Sequence, residues 1–357
     1  MNTYDLHKGT EGLEASFRRA VDLHRSGNLT EAEQAYRRIL TIKPDLRVAL
    51  HNLMALLRHQ DRTEDLVSIY EKLLEIEDND KIHGELALAL LSIGRYEEAW
   101  AHYERRHTKS IPPKSIDVPE WTGESLSNKR LFVWHEQGFG DQIQISRYFS
   151  LLTDQGCDVV FACLTPLHRL LSNVCRPVDR TWEHLTEADY WINSMSIPFR
   201  FGTTASTIPN PVRIDIDTSN DGRIGILTRG SSGHVFDRYR SIPEGAEQSF
   251  IEATGAIDLS HICETSRDFY ETAERISSFS LIVTVDTALA HLAASMRKPT
   301  WILLSTAKTD WRWGRGGTTS AWYPAARLLR QHKPDDWRGL LDATVHEAVT
   351  HLRRGIF

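Results

Sequence analysis

Apolar residues in the first third of the chain recur with the period of an amphipathic helix, and the pattern itself repeats. Each repeat has a turn residue, a helix-contact residue five positions later and a tyrosine nine positions after the turn. The three frames are Gly27, Ala32 and Tyr36; Asp61, Leu66 and Tyr70; and Gly94, Ala99 and Tyr103. They are separated by 34 and then 33 residues. This spacing predicts three helical hairpins between about residues 11 and 107.

A 34-residue period with glycine at the turn, alanine at a tight helix contact and an aromatic residue four positions on resembles the tetratricopeptide repeat (TPR). The small alanine lets paired helices approach closely, and the aromatic ring fills the gap toward the next repeat. The middle frame departs from the pattern, because Asp61 and Leu66 replace glycine and alanine. Such a helical solenoid over residues 1–107 either presents a concave surface to a peptide or protein or supports the domain that follows. The pattern leaves both interpretations open.

The period changes after residue 107. Residues 108–128 contain several prolines and no helical or strand period, which predicts an extended linker. Apolar strands then alternate with helices, a pattern typical of parallel sheets covered on both faces. The predicted strands include "RLFVWHE", "CDVVFACL", "GRIGILT", "SLIVTVD" and "PTWILLS". We therefore expect an α/β pair of Rossmann-like domains, at 129–215 and at 222–357, with "DID" (Asp215 to Asp217) in the segment between them.

Composition and charge argue against several classes of protein. The formal net charge is −6 and the sequence pI is about 6.2, which argues against general binding of nucleic acid. The four cysteines have no CxxC or zinc-ligand spacing and are expected to be reduced, buried thiols. The N-terminus lacks the apolar core of a signal peptide, and no apolar run is long enough to span a membrane. These features predict a cytoplasmic protein.

Three segments are expected at the ligand-binding edge of the two domains, since ligands of open α/β sheets bind outside the carboxyl ends of the strands. In the first segment, Asp286 ends an apolar strand and Thr287 and Ala288 begin a helix. His291 lies four residues after Thr287 and so on the same helical face. Backbone donors, a hydroxyl and an imidazole would together suit a diphosphate. An ordinary helix cap followed by a core histidine explains the same residues.

The second segment, "GFGD", also lies at a turn from strand to helix. Gly138 and Gly140 permit a tight turn and a close ligand approach. Asp141 is then either an N-terminal cap or a carboxylate presented to the cleft, where it would act as a general base on a hydroxyl.

The third segment, "RGSSGHVFDRYRSIP", combines small residues with Arg229, Arg238 and Arg240. Three arginines in one loop favour anion binding over a solvated basic loop. Farther along, "TDWRWGRGG" supplies Trp311, Arg312 and Trp313. These side chains either stack on a base or sugar or pack against the last helix.

Taken in order, these motifs resemble those of bacterial TPR-containing glycosyltransferases, which are related to the lipopolysaccharide heptosyltransferases of GT-B fold. The resemblance spans about residues 95–350 and rests on the following motifs: "WAHYERRH", "EQGFGDQIQISRY", "GSSGH…DRYRSIP", "VTVDTALAHLAA…KPTWILL", "DWRW" and "WYPAARLLRQ". It implies a nucleotide-sugar donor as substrate, no cofactor and no metal ion. It also implies an inverting transfer in which Asp141 deprotonates the acceptor hydroxyl. The donor-binding residues that it implies are Gly138, Gly140, Arg229, Gly230, Gly233, Arg240, Ser241, Asp286, Thr287, Ala288, His291 and Arg312.

The chain departs from the family pattern in its shortened domains. A helix before "GRIGILT" is expected to be missing, as is the strand that usually follows "RSIP". Three functions remain open: transfer to a protein acceptor recruited by the repeats, such as an exported surface or flagellar protein; transfer to a saccharide or lipid-linked acceptor; and binding or assembly by a degenerate transferase. The sugar, the nucleotide base, the acceptor and the oligomeric state are not determined by the sequence.

Overall fold

The computed structural model describes residues 3–354, with side chains described for residues 12–350. Two short segments lie outside the described part. They are residues 1–2, at the start of the N-terminal segment that lacks a signal-peptide pattern, and residues 355–357, at the end of the predicted second α/β domain. The chain divides into two compact units, residues 1–107 and 108–357.

The first unit consists of three helical hairpins, as the repeated frame predicts. Consecutive helices pack against each other throughout. The helices are α1 (Thr3–Arg25), α2 (Leu29–Ile42), α3 (Arg47–His59), α4 (Thr63–Ile76), α5 (Asp80–Ser92) and α6 (Tyr96–Tyr103).

The repeated frame has a physical explanation at each of its positions. The turn residues Gly27, Asp61 and Gly94 all have positive φ, at 80°, 55° and 81°. This left-handed conformation favours glycine, and aspartate tolerates it better than most residues do. The contact residues and the tyrosines of all three frames are buried between the helices. The middle hairpin therefore follows the pattern despite its two substitutions.

The second unit contains two parallel sheets. The first sheet has the order β3-β2-β1-β4, and the second has the order β6-β5-β7-β8-β9. The strands are β1 (Arg130–Trp134), β2 (Asp158–Ala162), β3 (Arg176–Val178), β4 (Tyr190–Asn193), β5 (Ile224–Leu227), β6 (Ile257–Asp258), β7 (Leu281–Val285), β8 (Thr300–Leu304) and β9 (Ala326–Arg330). Helical repeats followed by two Rossmann-like units, the predicted fold class of GT-B type, are confirmed.

Helices and short 3-10 turns connect and cover these strands. The helices are α7 (Phe139–Ile145), α8 (Arg147–Asp154), α9 (His168–Leu171), α10 (Ile197–Arg200), α11 (Asp237–Arg240), α12 (Gln248–Thr254), α13 (Ser260–Thr265), α14 (Phe269–Ile276), α15 (Ala288–Ser295) and α16 (Trp337–Arg354). The 3-10 turns are Thr165–Leu167, Glu183–Glu187, Ser194–Ser196 and Trp311–Trp313. The helix predicted from residue 141 to 156 is interrupted at Ser146, whose hydroxyl donates to the carbonyl of Ile143 at 2.7 Å.

One expectation about the shortened domains is wrong. A strand does follow "RSIP", because β6 pairs in parallel with β5 through Gly225–Ile257 and Ile226–Asp258. It has only two residues, and both are exposed. A strand this short and exposed has no alternating apolar pattern by which the sequence could reveal it.

Residues 108–128 are extended, as predicted, and their last part docks on the edge of the first sheet. The Trp121 amide donates to the Trp191 carbonyl at 2.8 Å, and the Trp191 amide donates to the Pro119 carbonyl at 3.0 Å. Ile116 and Val118 pack against the apolar cluster formed around Phe132 and Trp134. The segment thus covers β4 with apolar side chains and backbone hydrogen bonds.

All four cysteines are free thiols. Cys157 and Cys163 are buried, whereas Cys175 and Cys263 are half-buried, so the expectation of buried thiols holds fully for the first two only. Burial raises the pKa of Cys157 to about 11, which keeps that thiol protonated and unreactive at neutral pH.

Candidate active site

The site lies where the central strands of the two sheets end. β1 leads through Gly138, the N-cap residue, into α7, and β7 leads through Asp286 and Thr287 into α15. α7 and α15 pack directly against each other. A Cβ atom placed on Gly140 would lie 2.5 Å from Cδ2 of His291. Only glycine at position 140 therefore permits this approach of the two helices.

Asp141 is held at both of its carboxylate oxygens. Its Oδ2 accepts a hydrogen bond from the Gly138 amide at 2.9 Å, and its Oδ1 lies 2.6 Å from Nη2 of Arg312. The side chain is therefore a cap and also the partner of an arginine from the second sheet's domain. Burial raises the pKa of Asp141 above its ordinary value, and the nearby Arg312 counteracts this only in part.

Arg312 is buried and joins acidic and polar groups from both α/β halves. Nη1 lies 3.1 Å from each carboxylate oxygen of Asp310, and Nε donates to Oε1 of Gln144. The guanidinium also lies 4.4 Å from the centre of the Trp311 ring. Asp141 and Gln144 are in α7, so Arg312 connects the first half of this unit to the second.

His291 is neutral at ordinary pH. Burial, followed by the charges of Arg312 and Arg147, lowers its pKa well below the usual value. Nδ1 of His291 and the hydroxyl of Tyr323 are 3.0 Å apart and share a hydrogen bond. Trp313 packs against the same imidazole at 5.2 Å between ring centres. The ring can therefore act as a hydrogen-bonding group with a fixed orientation.

Asp286 has an unusual carboxyl group. Burial and the neighbouring Asp310 raise its pKa to about 7, although Trp313, Arg240 and Arg312 pull it downward. A fraction of the protein therefore carries the protonated carboxyl near neutral pH. The backbone carbonyl of Asp286 accepts a hydrogen bond from Nη1 of Arg240 at 2.7 Å, which ties the arginine loop to the end of β7.

Gly230, Arg240 and Ser241 form a compact cluster around Asp237. Arg240 Nε donates to Oδ1 of Asp237 at 3.0 Å, and the Ser241 hydroxyl donates to Oδ2 at 3.0 Å. The Gly230 amide donates to the Ser241 hydroxyl at 2.9 Å. A side chain at position 230 would clash, because its Cβ would lie 2.6 Å from Nη2 of Arg240. This cluster fixes Arg240 beside the end of β7.

Other predicted residues lie apart from this cluster. Arg229 is exposed and pairs with Glu244 at 3.2 Å. Gly233 lies in an exposed loop, with the Ser231 hydroxyl 3.7 Å from where its Cβ would be. Ala288 is half-buried at the first position of α15. Arg229 and Gly233 thus have exposed surroundings, whereas Ala288 belongs to the start of α15 beside Asp286 and Thr287.

The structure decides two questions that the local sequence left open. Thr287 is the N-cap residue of α15 but makes no side-chain cap bond. Its hydroxyl instead lies 3.2 Å from that of Thr284. Trp311 and Trp313 are 5% and 1% exposed, so they pack the domain and offer no face for stacking a base or sugar.

Several residues of the site were not singled out from the sequence. The carboxylates of Asp310 and Asp237 accept hydrogen bonds from Arg312 and Arg240, respectively. The hydroxyl of Tyr323 shares a hydrogen bond with His291. Arg147 is buried in α8 and donates to the Trp322 carbonyl at 2.8 Å. Asp237 and Asp310 lie within motifs that were quoted for their arginines, so acidic residues beside those arginines were the available signal.

Among the described residues, no group of three or more His, Cys, Asp or Glu side chains is arranged to hold a metal ion. Asp215, in the "DID" segment, instead pairs with Arg213 and accepts a hydrogen bond from Asn173. Within residues 3–354, no helix has a stretch that is both long enough and apolar enough to cross a membrane.

Comparison with known proteins identifies two segments. Residues 264–320 match the model of glycosyltransferase family 9 (heptosyltransferase), and residues 49–83 match a tetratricopeptide repeat model. A 63-residue stretch is 36% identical to protein FlbA of Caulobacter vibrioides. That stretch makes up 17% of this chain and 11% of FlbA, so the chain spans only a small part of this curated relative.

The solved structures to which the chain is similar include three glycosyltransferases. The family 9 glycosyltransferase of Veillonella parvula is 12% identical, with 65% of this chain and 99% of that chain covered and a TM-score of 0.46. The dodecameric glycosyltransferase TibC of enterotoxigenic E. coli is 13% identical, with coverages of 66% and 78% and a TM-score of 0.44. The O-GlcNAc transferase of Thermobaculum terrenum is 13% identical, with coverages of 99% and 94% and a TM-score of 0.30.

The family 9 match contains Asp286, His291 and Arg312, whereas Asp141 precedes it. The repeat match begins in α3 and ends in α5, and so includes the middle frame, in which glycine and alanine are replaced. The residues that match the glycosyltransferase family 9 (heptosyltransferase) model therefore include the Asp286 to Arg312 side of the candidate site, and those that match the tetratricopeptide repeat model lie in the first unit.

Proposed function

We propose that this protein transfers a sugar from a nucleotide-sugar donor to an acceptor hydroxyl, with inversion and without a metal ion. The observation that carries the proposal is the meeting of α7 and α15. Asp141 supplies a carboxylate from the first Rossmann-like half. It lies opposite the start of α15, the helix that follows β7, the central strand of the second half. A composite site of this kind can hold donor and acceptor on opposite sides.

The donor side is suited to an anion. α15 begins directly after β7, and Thr287 leaves its first backbone N–H groups without a side-chain cap. The free N–H groups and the helix dipole favour negative charge at this end. Arg240 is held beside it by Asp237 and by the Asp286 carbonyl. These groups would stabilise the departing nucleoside diphosphate as negative charge develops on it.

On the acceptor side, Asp141 has the properties of a general base. Its pKa is raised toward the working range by burial, and its orientation is fixed at both oxygens. A carboxylate offers about four lone-pair positions, so the two contacts leave acceptor capacity for a substrate hydroxyl. Removal of the hydroxyl proton by Asp141, with attack on the face opposite the leaving diphosphate, inverts the anomeric centre.

The repeats favour a protein acceptor. A stack of TPR hairpins provides a surface for a peptide or protein, and residues 49–83 match that repeat family. A saccharide or lipid-linked acceptor would instead leave the repeats as a scaffold. A degenerate relative would bind a nucleotide sugar without turning it over.

The first experiment is a thermal-shift and calorimetric panel of UDP-, GDP-, ADP- and CMP-sugars with the purified full chain. ADP-heptose is included because the matched family is described as heptosyltransferase. A ligand at about 100 times its dissociation constant adds roughly 2.7 kcal/mol of stability. A panel without any stabilising ligand would overturn the proposal.

Two variants then separate the two sides of the site. Asp286→Ala should weaken binding of the donor by about 1–3 kcal/mol, because a polar group beside the diphosphate is lost. Asp141→Asn should bind the donor as the wild type does and lose transfer, which is measured by release of the nucleotide in the presence of acceptor. If transfer survives in Asp141→Asn, then Asp141 is only a helix cap.

Activity that persists in EDTA supports the metal-independent mechanism, and activity lost in EDTA contradicts it.

A further inference from the structure

Arg312 is fixed on its own half of the second unit by several contacts. Its backbone amide donates to Oδ1 of Asp310 at 2.9 Å, and its Nη1 lies 3.1 Å from both oxygens of the same carboxylate. The guanidinium also packs 4.4 Å from the ring centre of Trp311. Because Arg312 is only 3% exposed, its side chain has one well-defined position.

From this position Arg312 reaches into α7 of the other half. Nη2 lies 2.6 Å from Oδ1 of Asp141, and Nε donates to the side-chain oxygen of Gln144. The second oxygen of Asp141 accepts from the Gly138 amide at 2.9 Å. The carboxylate is therefore oriented by one contact from each half. Neither half alone provides both.

We propose that Arg312 is a positioning residue for the Asp141 base: the second α/β half of the unit supplies it to the first, and the base is complete only when the two halves meet as they do here. This inference rests on the proposed function, in which Asp141 accepts the acceptor proton. It differs from the role implied by the family resemblance, which makes Arg312 a donor-binding residue.

The charges around Asp141 show why a positioning cation is needed. The charged or titratable groups that act on Asp141 are Arg312, the Asp310 carboxylate and His234 in the loop after β5, and His291 in α15 lies against the neighbouring Gly140. His291 is neutral because it is buried, and burial also lowers the pKa of His234. Within residues 12–350, Arg312 is the one cation in ion-pair contact with Asp141. Without it, a largely buried carboxylate would face Asp310 uncompensated and would take up a proton.

A protonated Asp141 cannot accept a proton from the acceptor. Loss of Arg312 should therefore slow the chemical step and move its pH dependence, and should leave donor binding largely intact. An arginine whose main partner is the donor diphosphate would give the opposite pattern, with weakened donor binding and little change in the pH profile. Kinetic constants and pH profiles distinguish the two roles.

The test compares Arg312→Gln and Arg312→Lys with the wild type in the full chain. Arg312→Gln should reduce kcat by about 10²-fold, because the base is misplaced. The acid limb of the pH–rate profile should move to higher pH by about 1–3 units, because the positive charge beside Asp141 is lost. The KM for the donor should stay within about two-fold. Arg312→Lys keeps the charge without the planar fork, so it should retain most of the pH profile and part of kcat.

Asp310→Asn provides a test in the opposite direction. The Asp310 charge raises the pKa of Asp141, and asparagine can still accept the backbone hydrogen bond from Arg312. The acid limb of this variant should therefore move to lower pH. Arg267→Gln is the matched control, because Arg267 is an exposed arginine paired with Glu271, and it should leave all the kinetic constants unchanged. An unshifted acid limb in both Arg312→Gln and Asp310→Asn would overturn the proposal.

Titration of the Asp141 carboxyl by ¹³C NMR, assigned by comparison with Asp141→Asn, separates this inference from the proposed function. A wild type without turnover overturns the proposed function. In that case the carboxyl pKa should still rise in Arg312→Gln and fall in Asp310→Asn if Arg312 controls Asp141. A pKa that is unchanged in both variants overturns the role of Arg312, whether or not the wild type is active.

Discussion

At the scale of single residues, burial changes the charge of two side chains near the start of α15. Burial and Asp310 raise the pKa of Asp286 to about 7. Burial, with Arg312 and Arg147, lowers the pKa of His291 well below its usual value. Near neutral pH the imidazole carries no charge and the carboxyl is partly protonated. The donor side of the site is thus less acidic than its composition suggests, which favours the approach of a diphosphate.

The raised pKa of Asp286 gives a prediction about stability. The folded state holds the Asp286 proton up to about pH 7, whereas the ordinary value is 3.8. Between these values the folded state binds more protons than the unfolded state, so stability falls as pH rises. We expect Asp286→Asn to remove this loss.

Thermal unfolding of the wild type and of Asp286→Asn should be compared from pH 4 to pH 8. Relative to the variant, the wild type should lose stability between about pH 4 and pH 7, and the difference should level off above about pH 7. The comparison between the two proteins cancels the titration of other groups, provided that they are unchanged. A difference in stability that stays constant with pH would show that Asp286 ionises normally.

At the scale of elements, the approach of α7 to α15 depends on a glycine. The position of a Cβ on Gly140 would be 2.5 Å from Cδ2 and 3.0 Å from Nε2 of His291. The imidazole cannot easily move, because it packs against Trp313 and Tyr323. A methyl group at position 140 must therefore push the two helices apart.

Gly140→Ala should consequently destabilise the protein, even though alanine favours helix more than glycine does. Overpacking costs about 1–3 kcal/mol, and the gain in helix propensity is about 1 kcal/mol, so the net loss should reach about 2 kcal/mol. Urea unfolding measures it. Gly233→Ala is the control, because its Cβ would meet only the Ser231 hydroxyl at 3.7 Å. Equal stability of the two variants would mean that α7 and α15 do not need this close contact.

At the scale of the whole molecule, the chain joins two compact units with different architectures. Residues 1–107 form the helical repeats, and residues 108–357 contain both sheets and every residue of the candidate site. The contacts of Asp141, Asp286, His291 and Arg312 described above all lie within the second unit. Under the proposed function, donor chemistry belongs to the second unit and acceptor recruitment to the first, so the two should be separable.

Deletion of residues 1–107 should accordingly abolish modification of a protein acceptor and leave hydrolysis of the nucleotide sugar in place. Circular dichroism and thermal unfolding of the shortened chain first establish that residues 108–357 fold. Release of nucleotide and incorporation of labelled sugar into the acceptor are then measured in parallel. Undiminished incorporation into the acceptor would favour a saccharide or lipid-linked substrate, with the repeats as a scaffold.

The sequence determined the features that depend on local period. The TPR frames were recognisable because a turn that needs positive φ and a buried tyrosine recur at fixed intervals. β1, β2, β5, β7 and β8 were predicted because strands buried on both faces read as apolar runs. The ends of β1 and β7 marked the site, since the connectivity of parallel sheets places ligands there.

Only the tertiary structure decided the features that depend on distant partners. β3, β4, β6 and β9 were not predicted. β3 and β6 have only three and two residues, so their own sequences have too little pattern to reveal them. β9 mixes arginines with apolar residues and pairs with β8 along its whole length. The contact of Arg312 with Asp141 joins residues that are far apart in the chain, so the sequence does not show it. Long-range contacts and burial set the partners and pKa values of these side chains, and neither is a property of the local sequence.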